Sequence, residues 1–391
     1  CVGVIRNTVA VAQQTYDDLV ARLGEDRVVL IHSGFVSIDR QRIEDDLRRW
    51  LGRPGPEGVT PDRPRGLVVV GTQILEQRLE IDFDLLVSDI APIDLVLQRD
   101  GRLHRHQRGP GEIQRPSGLR NQRLILLGAR LRSAPDADSR GVEPWLARHN
   151  VAVYGTAALL RSLAVLAECL RGRPLSIPED IAPLVRIGYD PAAPPPPGWE
   201  IAWAEADAAE ADHQRQQRAK AEAFLLKPPH KLVDFRDWFG ALATDPDENP
   251  NARAQVRDTE DTVEVIVVCR DGAALRAFPG SGISSDVDLG GYLEPPRDDI
   301  ARRLAGCTLR LPTAMTAGSL PGGDRGAATA YARIDAVIRD LERQARGVVD
   351  GWSQSPWLRG QLPLILDEDM RATVAGWALE YDRRRGLRRS R

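Results

Sequence analysis

Gln98-Arg99-Asp100-Gly101-Arg102-Leu103-His104-Arg105-His106-Gln107-Arg108 is the stretch on which the reading of this 391-residue chain turns. Taken as a helix at roughly 100° per residue, it brings Gln98, Arg102 and Arg105 within about 60° of one another. Ile93, Val96, Leu97 and Leu103 fall on the opposite side. The spacing predicts a helix with one apolar face and one face of Gln and two Arg. Guanidinium groups keep their charge and bind phosphate oxygens bidentately. In phosphoryl transfer such arginines stabilise the charge on the transferred group. An arginine-rich chain also carries arginines as an ordinary solvated face, so the company of this stretch decides its meaning.

Upstream, short apolar runs at 2–5, 28–31, 66–70 and 85–87 read as strands, and a fifth follows at 124–127. Between them lie amphipathic helices. Asn7-Thr8 opens the first, Ala12, Tyr16, Leu19, Val20 and Leu23 make its apolar stripe, and Gly24 closes it. Ile43, Leu47, Trp50 and Leu51 mark the second. Near-continuous hydrophobic strands suit a parallel sheet covered on both faces. Strand and helix in strict turn predict a doubly wound α/β domain.

Downstream, helices are expected at 156–170 and 178–185. The run Pro191-Ala192-Ala193-Pro194-Pro195-Pro196-Pro197-Gly198 reads as a stiff connector. Residues 201–226, charged and Ala-rich, read as one long exposed helix, and the acidic run 244–261 as a loop. A strand at 263–268 opens a third region. Near its end Trp377, Leu379 and Tyr381 alternate with polar or small residues, as on a half-buried strand. The expected division is a lobe at 1–190, a connector at 191–251 and a small α+β accessory domain at 252–391.

Bulk charge does not announce a nucleic-acid binder: the net charge is -3, and only three of the 53 basic residues are lysines (Lys220, Lys227, Lys231). Cys1, Cys169, Cys269 and Cys307 share no metal-binding spacing, which points to reduced residues rather than a zinc site. No apolar run reaches the roughly 18 residues of a membrane span, and no signal peptide opens the chain, so a cytoplasmic location is expected. Cys1 leads straight into an apolar strand, and the chain is expected to be part of a larger polypeptide.

Ligand sites in open α/β sheets lie beyond the carboxyl ends of the strands. Four such ends here are polar: Arg6-Asn7-Thr8, His32-Ser33-Gly34-Phe35 leading to Asp39-Arg40, Gly71-Thr72-Gln73, and Ser88-Asp89. Hydroxyls, amides and helix N-termini bind phosphates without reading bases. Asn7-Thr8 and Thr72 read equally well as plain helix caps.

The order of these elements resembles the second RecA-like lobe of a superfamily 2 helicase. Arg6-Asn7-Thr8 stands at motif IV, Gly71-Thr72-Gln73 through Asp82-Phe83-Asp84 resembles motif V, and Gln98 through Arg105 matches the Q-x-x-G-R-x-x-R of motif VI. More narrowly, the pattern from Thr72-Gln73 through Glu76-Gln77, Asp82-Phe83-Asp84, Pro92-Ile93-Asp94-Leu95 and Gln98-Arg99 to His106 is similar to the CRISPR-associated helicase–nuclease of type I systems, most like subtype I-E. Tyr381-Asp382 and Gly386-Leu387 resemble that family's C-terminal region.

The resemblance implies that Arg102 and Arg105 face the γ-phosphate of ATP, Arg105 as the arginine finger, with Gln98 ordering the polar network beside them. Glu80 and Gly101 would couple ATP to motif VI, although Glu80 stands where relatives carry Asp. Asn7, Thr8, Thr72 and Arg40 would contact single-stranded DNA. Gly34 departs from the family's Arg at that loop. His104 and His106, about 200° apart on a helix, are not expected to bind a metal.

No lysine stands in a phosphate-loop setting, G-x-x-x-x-G-K-[ST], and no His precedes an Asp as the nuclease motif of this family requires. ATP and Mg would therefore be held mainly by a preceding first RecA-like lobe, and the divalent transition metals by a preceding nuclease domain, with none bound by this chain alone. Further expected partners are single-stranded DNA and the guide-RNA surveillance complex (Cascade), with no membrane. Two other readings stay open: the second lobe of a restriction or remodelling motor, and a non-catalytic nucleic-acid-binding module.

Overall fold

A computed structural model describes residues 1–55, 60, 62–77, 79–129, 146–170, 173–222, 262–290, 294–312 and 327–389. The expected 244–261 loop lies outside these residues, as does the end of the expected 201–226 helix. The first unit is built on β1 (Val2–Ile5), β2 (Val28–Ile31), β3 (Val68–Gly71), β4 (Leu85–Asp89) and β5 (Leu124–Leu127), all parallel in the order β2-β3-β1-β4-β5. Alternate residues of one strand serve opposite faces. Ile5, Ile31 and Val69 enter one apolar cluster, while Val4, Leu30 and Val70 enter another. Both faces of the central strands are covered, which suits their apolar runs; each such side chain contributes about 1.5–3 kcal/mol on burial.

Helix α1 (Val9–Leu23) begins where Thr8 accepts the Val11 N–H at 3.3 Å and ends at Gly24, whose φ of 87° suits glycine. Helix α2 (Ser37–Leu51) buries Leu47 and Leu51, and the single turn α3 (Ile74–Gln77) follows β3. Helix α4 (Ile93–Asp100) corrects the sequence reading: it stops at Asp100, so Gln98, Arg102 and Arg105 do not share a helical face. The cause is not local. Phe83 donates its N–H to Arg102 O at 3.0 Å and accepts the His104 N–H at 3.1 Å, drawing residues 102–104 out as a short parallel bridge beside Phe83.

Helices α5 (Arg148–Tyr154), α6 (Thr156–Leu170), α7 (Ile181–Gly188) and α8 (Glu200–Glu222) cover the β5 side of the lobe. Trp199, Trp203 and Ala206 are buried in the cluster that holds Leu159, Leu163 and Leu184. The lobe's packing thus runs past the proline stretch into α8 through one buried stripe, while the second half of that helix is largely exposed, as expected.

The C-terminal unit is α+β. Strand β6 (Thr262–Asp271) pairs antiparallel with β7 (Ala274–Ala277) and, after α9 (Asp298–Ala305), with β8 (Thr308–Pro312). After α10 (Ala327–Ala345), β9 (Leu362–Leu366) joins β6 in parallel. Strands β10 (Arg371–Val374), β11 (Trp377–Asp382) and β12 (Gly386–Arg389) form an antiparallel sheet. In β11, Leu379 and Tyr381 are buried as the alternation predicts. This unit closes back on the lobe: Leu387 N–H donates to Gly34 O at 2.8 Å, and Val36 of the lobe enters its core.

Candidate functional site

The sheet order places the ends of β3, β1 and β4 side by side, with Thr72, Asn7 and Asp89 along one polar edge. The last turn of α4 packs against this edge and delivers Arg99, which is wholly buried. Arg99 Nε donates to Glu76 Oε1 at 2.7 Å. Its Nη1 reaches Ser88 Oγ at 2.8 Å and Asp89 O at 2.9 Å, and its Nη2 reaches Asn7 Oδ1 at 3.0 Å and the Tyr154 hydroxyl at 3.2 Å. All five N–H donors of a guanidinium are thereby placed, as a buried charge demands. Sequence reasoning gave Arg99 no role, because its neighbours are spread from Asn7 to Tyr154.

Asn7 is likewise committed. Its Nδ2 donates to Ile90 O at 2.8 Å and Asn150 Oδ1 at 2.9 Å, while its Oδ1 accepts from Arg99. This side chain, expected to contact DNA, is 4% exposed, and both donors of its amide are used within the lobe. Thr8 is half-buried and caps α1 through its oxygen, so its own hydroxyl hydrogen stays available. Thr72, also buried, donates its N–H to Ile31 O at 3.3 Å and accepts the Leu75 N–H at 3.1 Å, which starts α3. Arg40 lies on α2, 3.8 Å from Glu44.

The motif arginines lie beyond the end of α4. Arg102 is half-buried, and its Nε donates to Glu76 O at 3.2 Å, with Nη2 on the same oxygen. Burial and the nearby Arg105 charge lower its pKa. Two guanidiniums held near one another favour an anion between them. His104, at φ 49°, turns the chain through the left-handed region, and Arg105 emerges exposed. Arg105 Nη1 reaches Gly101 O at 3.3 Å, and its Nη2 lies 3.9 Å from Glu80 Oε1, itself exposed. Gln98 is exposed on the last turn of α4. Gly101 has ordinary helical torsions, with room for a Cβ at 3.4 Å from Gln98 O.

A second buried cluster holds the loop after Arg105. Asp82 receives Arg115 at 3.0 Å and Arg108, and Asp84 receives Arg115 at 2.6 Å and Arg63 at 2.8 Å. His104 contacts Asp84 O at 3.2 Å, and the His106 N–H donates to Asp82 at 3.4 Å, so both histidines serve this loop. Among the described residues no group of three or more His, Cys, Asp or Glu side chains could hold a metal. No single helix among them is long and apolar enough to cross a membrane.

Two families match in succession: "CRISPR-associated nuclease/helicase Cas3, C-terminal" over residues 1–108 and "Cas3 C-terminal domain" over residues 257–387. Both units of the chain thus match the C-terminal region of Cas3. The chain is 32% identical over 396 aligned residues to the CRISPR-associated nuclease/helicase Cas3 of Streptococcus thermophilus, covering 99% of this chain and 38% of that protein. The crystal structure of a CRISPR-associated protein superposes with a TM-score of 0.70 at 27% identity, over 100% of this chain and 38% of that one. T. fusca Cas3 crystallised with ATP gives 0.67 at 25% identity, over 99% and 39%. The chain thus spans about 38% of the length of the Streptococcus relative, corresponding to the Cas3 C-terminal portion. The RecA-like fold of the parallel lobe and the α+β C-terminal unit agree with the sequence reading.

Proposed function

We propose that this chain is the second motor lobe and C-terminal domain of an ATP-dependent 3′→5′ single-stranded DNA translocase whose complete form also carries a nuclease and degrades foreign DNA in type I CRISPR interference. The observation that carries the reading is the pair Arg102 and Arg105, set out beyond α4 on a segment tied to α3 through Glu76 O. Two guanidiniums fit the phosphate end of ATP, and the complete enzyme would supply phosphoryl transfer to water there. Arg105, exposed and lightly held, acts as the arginine finger. Arg102 sets the second charge, and Gln98 orders the polar groups beside them. A first RecA-like lobe holds Mg and the rest of the nucleotide, and a nuclease domain holds its own divalent metals.

Thr8, Thr72 and Arg40 contact DNA phosphates, with Asn7 bracing the turn behind them. The C-terminal unit covers the DNA path, and the guide-RNA surveillance complex delivers the protein to its target in the cytoplasm. Lobe, connector and accessory domain divide near 190 and 252, with the start of α8 packed on the lobe.

The test is ATP hydrolysis by the complete protein in single-strand titrations, beside the same assay on this chain alone. DNA-stimulated hydrolysis in the complete protein, none in the chain, and loss in the complete Arg105→Ala protein are the expected results. Hydrolysis by the chain alone, or full activity in Arg105→Ala, would overturn the assignment.

A further inference from the structure

Glu76 is a buried acid that the roles above leave unused, and it holds both arginines of the 98–105 segment that face inward. Its carboxylate takes Arg99 Nε at 2.7 Å, and its main-chain carbonyl takes Arg102 Nε at 3.2 Å. Its N–H donates to Gln73 O at 3.1 Å, and Leu75 N–H to Thr72 O at 3.1 Å, so one helical turn separates Thr72 from the oxygen that Arg102 grips. Oε2 of Glu76 is buried without a hydrogen-bond partner, so the carboxylate is held from one side only, by Arg99. Burial raises its pKa while Arg99 opposes the rise. By contrast Glu80, expected to couple the sites, meets Arg105 only at 3.9 Å with both side chains in solvent, where ion pairs are weak.

Resting on the function proposed above, we infer that Glu76, anchored by Arg99, is the positioning residue through which Thr72 sets the direction of Arg102. Arg99 is fixed to the ends of β1 and β4 through Asn7, Ser88 and Asp89. The carboxylate of Glu76 therefore stays in place, and a shift of Thr72 has to appear as a tilt of α3. That tilt moves the carbonyl, and with it the guanidinium of Arg102. The coupling runs through one buried residue with two handles rather than through an exposed pair.

The experiment measures ATPase rate against single-strand concentration in the complete protein, for wild type, Glu76→Gln, Arg99→Lys and Glu80→Gln. Gln keeps the shape of Glu76 and an acceptor for Arg99 but leaves that buried guanidinium without its counter-charge, so thermal melting first establishes that each variant is folded. Lys keeps the charge beside Glu76 but lacks the donors to hold Ser88, Asn7 and Tyr154 together. Both variants are expected to lower the ratio of DNA-saturated to DNA-free rate by roughly tenfold, within the usual range of site-to-site coupling. The half-saturating DNA concentration should move much less. A merely structural ion pair would lower the melting temperature and the active fraction and leave that ratio in place. A folded Glu76→Gln protein with the wild-type ratio, or loss of the ratio in Glu80→Gln alone, overturns the inference. A wild-type protein without DNA-stimulated hydrolysis would overturn the proposed function instead.

Discussion

Tyr381 donates its hydroxyl hydrogen to Asp39 Oδ2 at 2.9 Å and accepts the Val36 N–H at 3.2 Å on the same oxygen. Arg383 adds a two-pronged contact to Asp39, with Nε at 3.1 and 3.2 Å from its two oxygens. One strand of the C-terminal unit is thus bolted to the first turn of α2. Burial, then the Asp39 charge, push the Tyr381 pKa upward, so the phenol remains a donor. Tyr381→Phe leaves the buried Val36 N–H without a partner and should cost about 1–3 kcal/mol. The denaturant midpoint of the chain measures it. An unchanged midpoint would mean that the hydroxyl carries none of this junction.

His32 makes the same junction sensitive to acid. The Gly34 N–H donates to its Nδ1 at 3.0 Å, which leaves Nε2 to carry the hydrogen toward Arg385 O at 3.0 Å. Burial lowers its pKa from 6.5 to about 4. The unfolded chain therefore takes up the proton first. The contribution is complete above pH 6.5 and drains away as the pH falls toward about 4, at about 1.4 kcal/mol per pH unit. Urea midpoints from pH 7 downward should fall more steeply for wild type than for His32→Gln. Parallel curves would assign the acid sensitivity to other groups.

Arg105→Ala and Arg102→Ala should both cut ATPase of the complete protein by roughly 10³ or more, as arginine-finger losses do. They should differ in stability. Arg105 is exposed, and its removal should leave the melting temperature alone. Arg102 satisfies Glu76 O, and losing that hydrogen bond to a charged group costs about 1.5–3 kcal/mol. Single-strand affinity should stay near wild type in both, and an equal loss of DNA binding in Arg105→Ala would reverse its assignment.

Asp82→Asn should be far more damaging than its conservative form suggests. Asp82 neutralises Arg115 and Arg108, whose guanidiniums are almost wholly buried. Breaking a buried pair by removing one charge costs about 3–5 kcal/mol. Protease cleavage within residues 104–120 should appear early in this variant. A wild-type digestion pattern would show that the loop is held by other contacts.

Thr72→Ala should weaken the stimulation of ATPase by single strands in the complete protein while leaving ATP affinity close to its starting value. The main-chain bonds to Ile31 and Leu75 survive the change, so α3 still forms. Titration of ATPase rate with single-strand DNA checks this. Full stimulation at the same half-saturating concentration would leave Thr72 a simple start to the turn.

The sequence by itself determined the elements that depend on neighbours along the chain. The strands at 2–5, 28–31 and 124–127, the cap at Thr8, the stop at Gly24 and the helix at 156–170 all follow from periodicity and local capping. Motif spacing, also a local property, supplied the expectation of which residues hold phosphates. Tertiary structure decided the rest, for reasons of distance along the chain. α4 ends at Asp100 because Phe83 competes for the backbone of residues 102–104, and no helical periodicity within 93–105 reports that competitor. Arg99 and Arg105 are the same residue type in the same motif, yet one is buried and the other exposed. What separates them is the acceptor set that converges on Arg99 from the turn after β1 and from β4, α3 and α5 once the sheet is assembled. The side-chain amide of Asn7 is taken up by the same convergence. The Tyr381–Asp39 latch joins residues 342 positions apart. Its pattern was visible as alternation in β11, but its partner existed only after both units had folded and met.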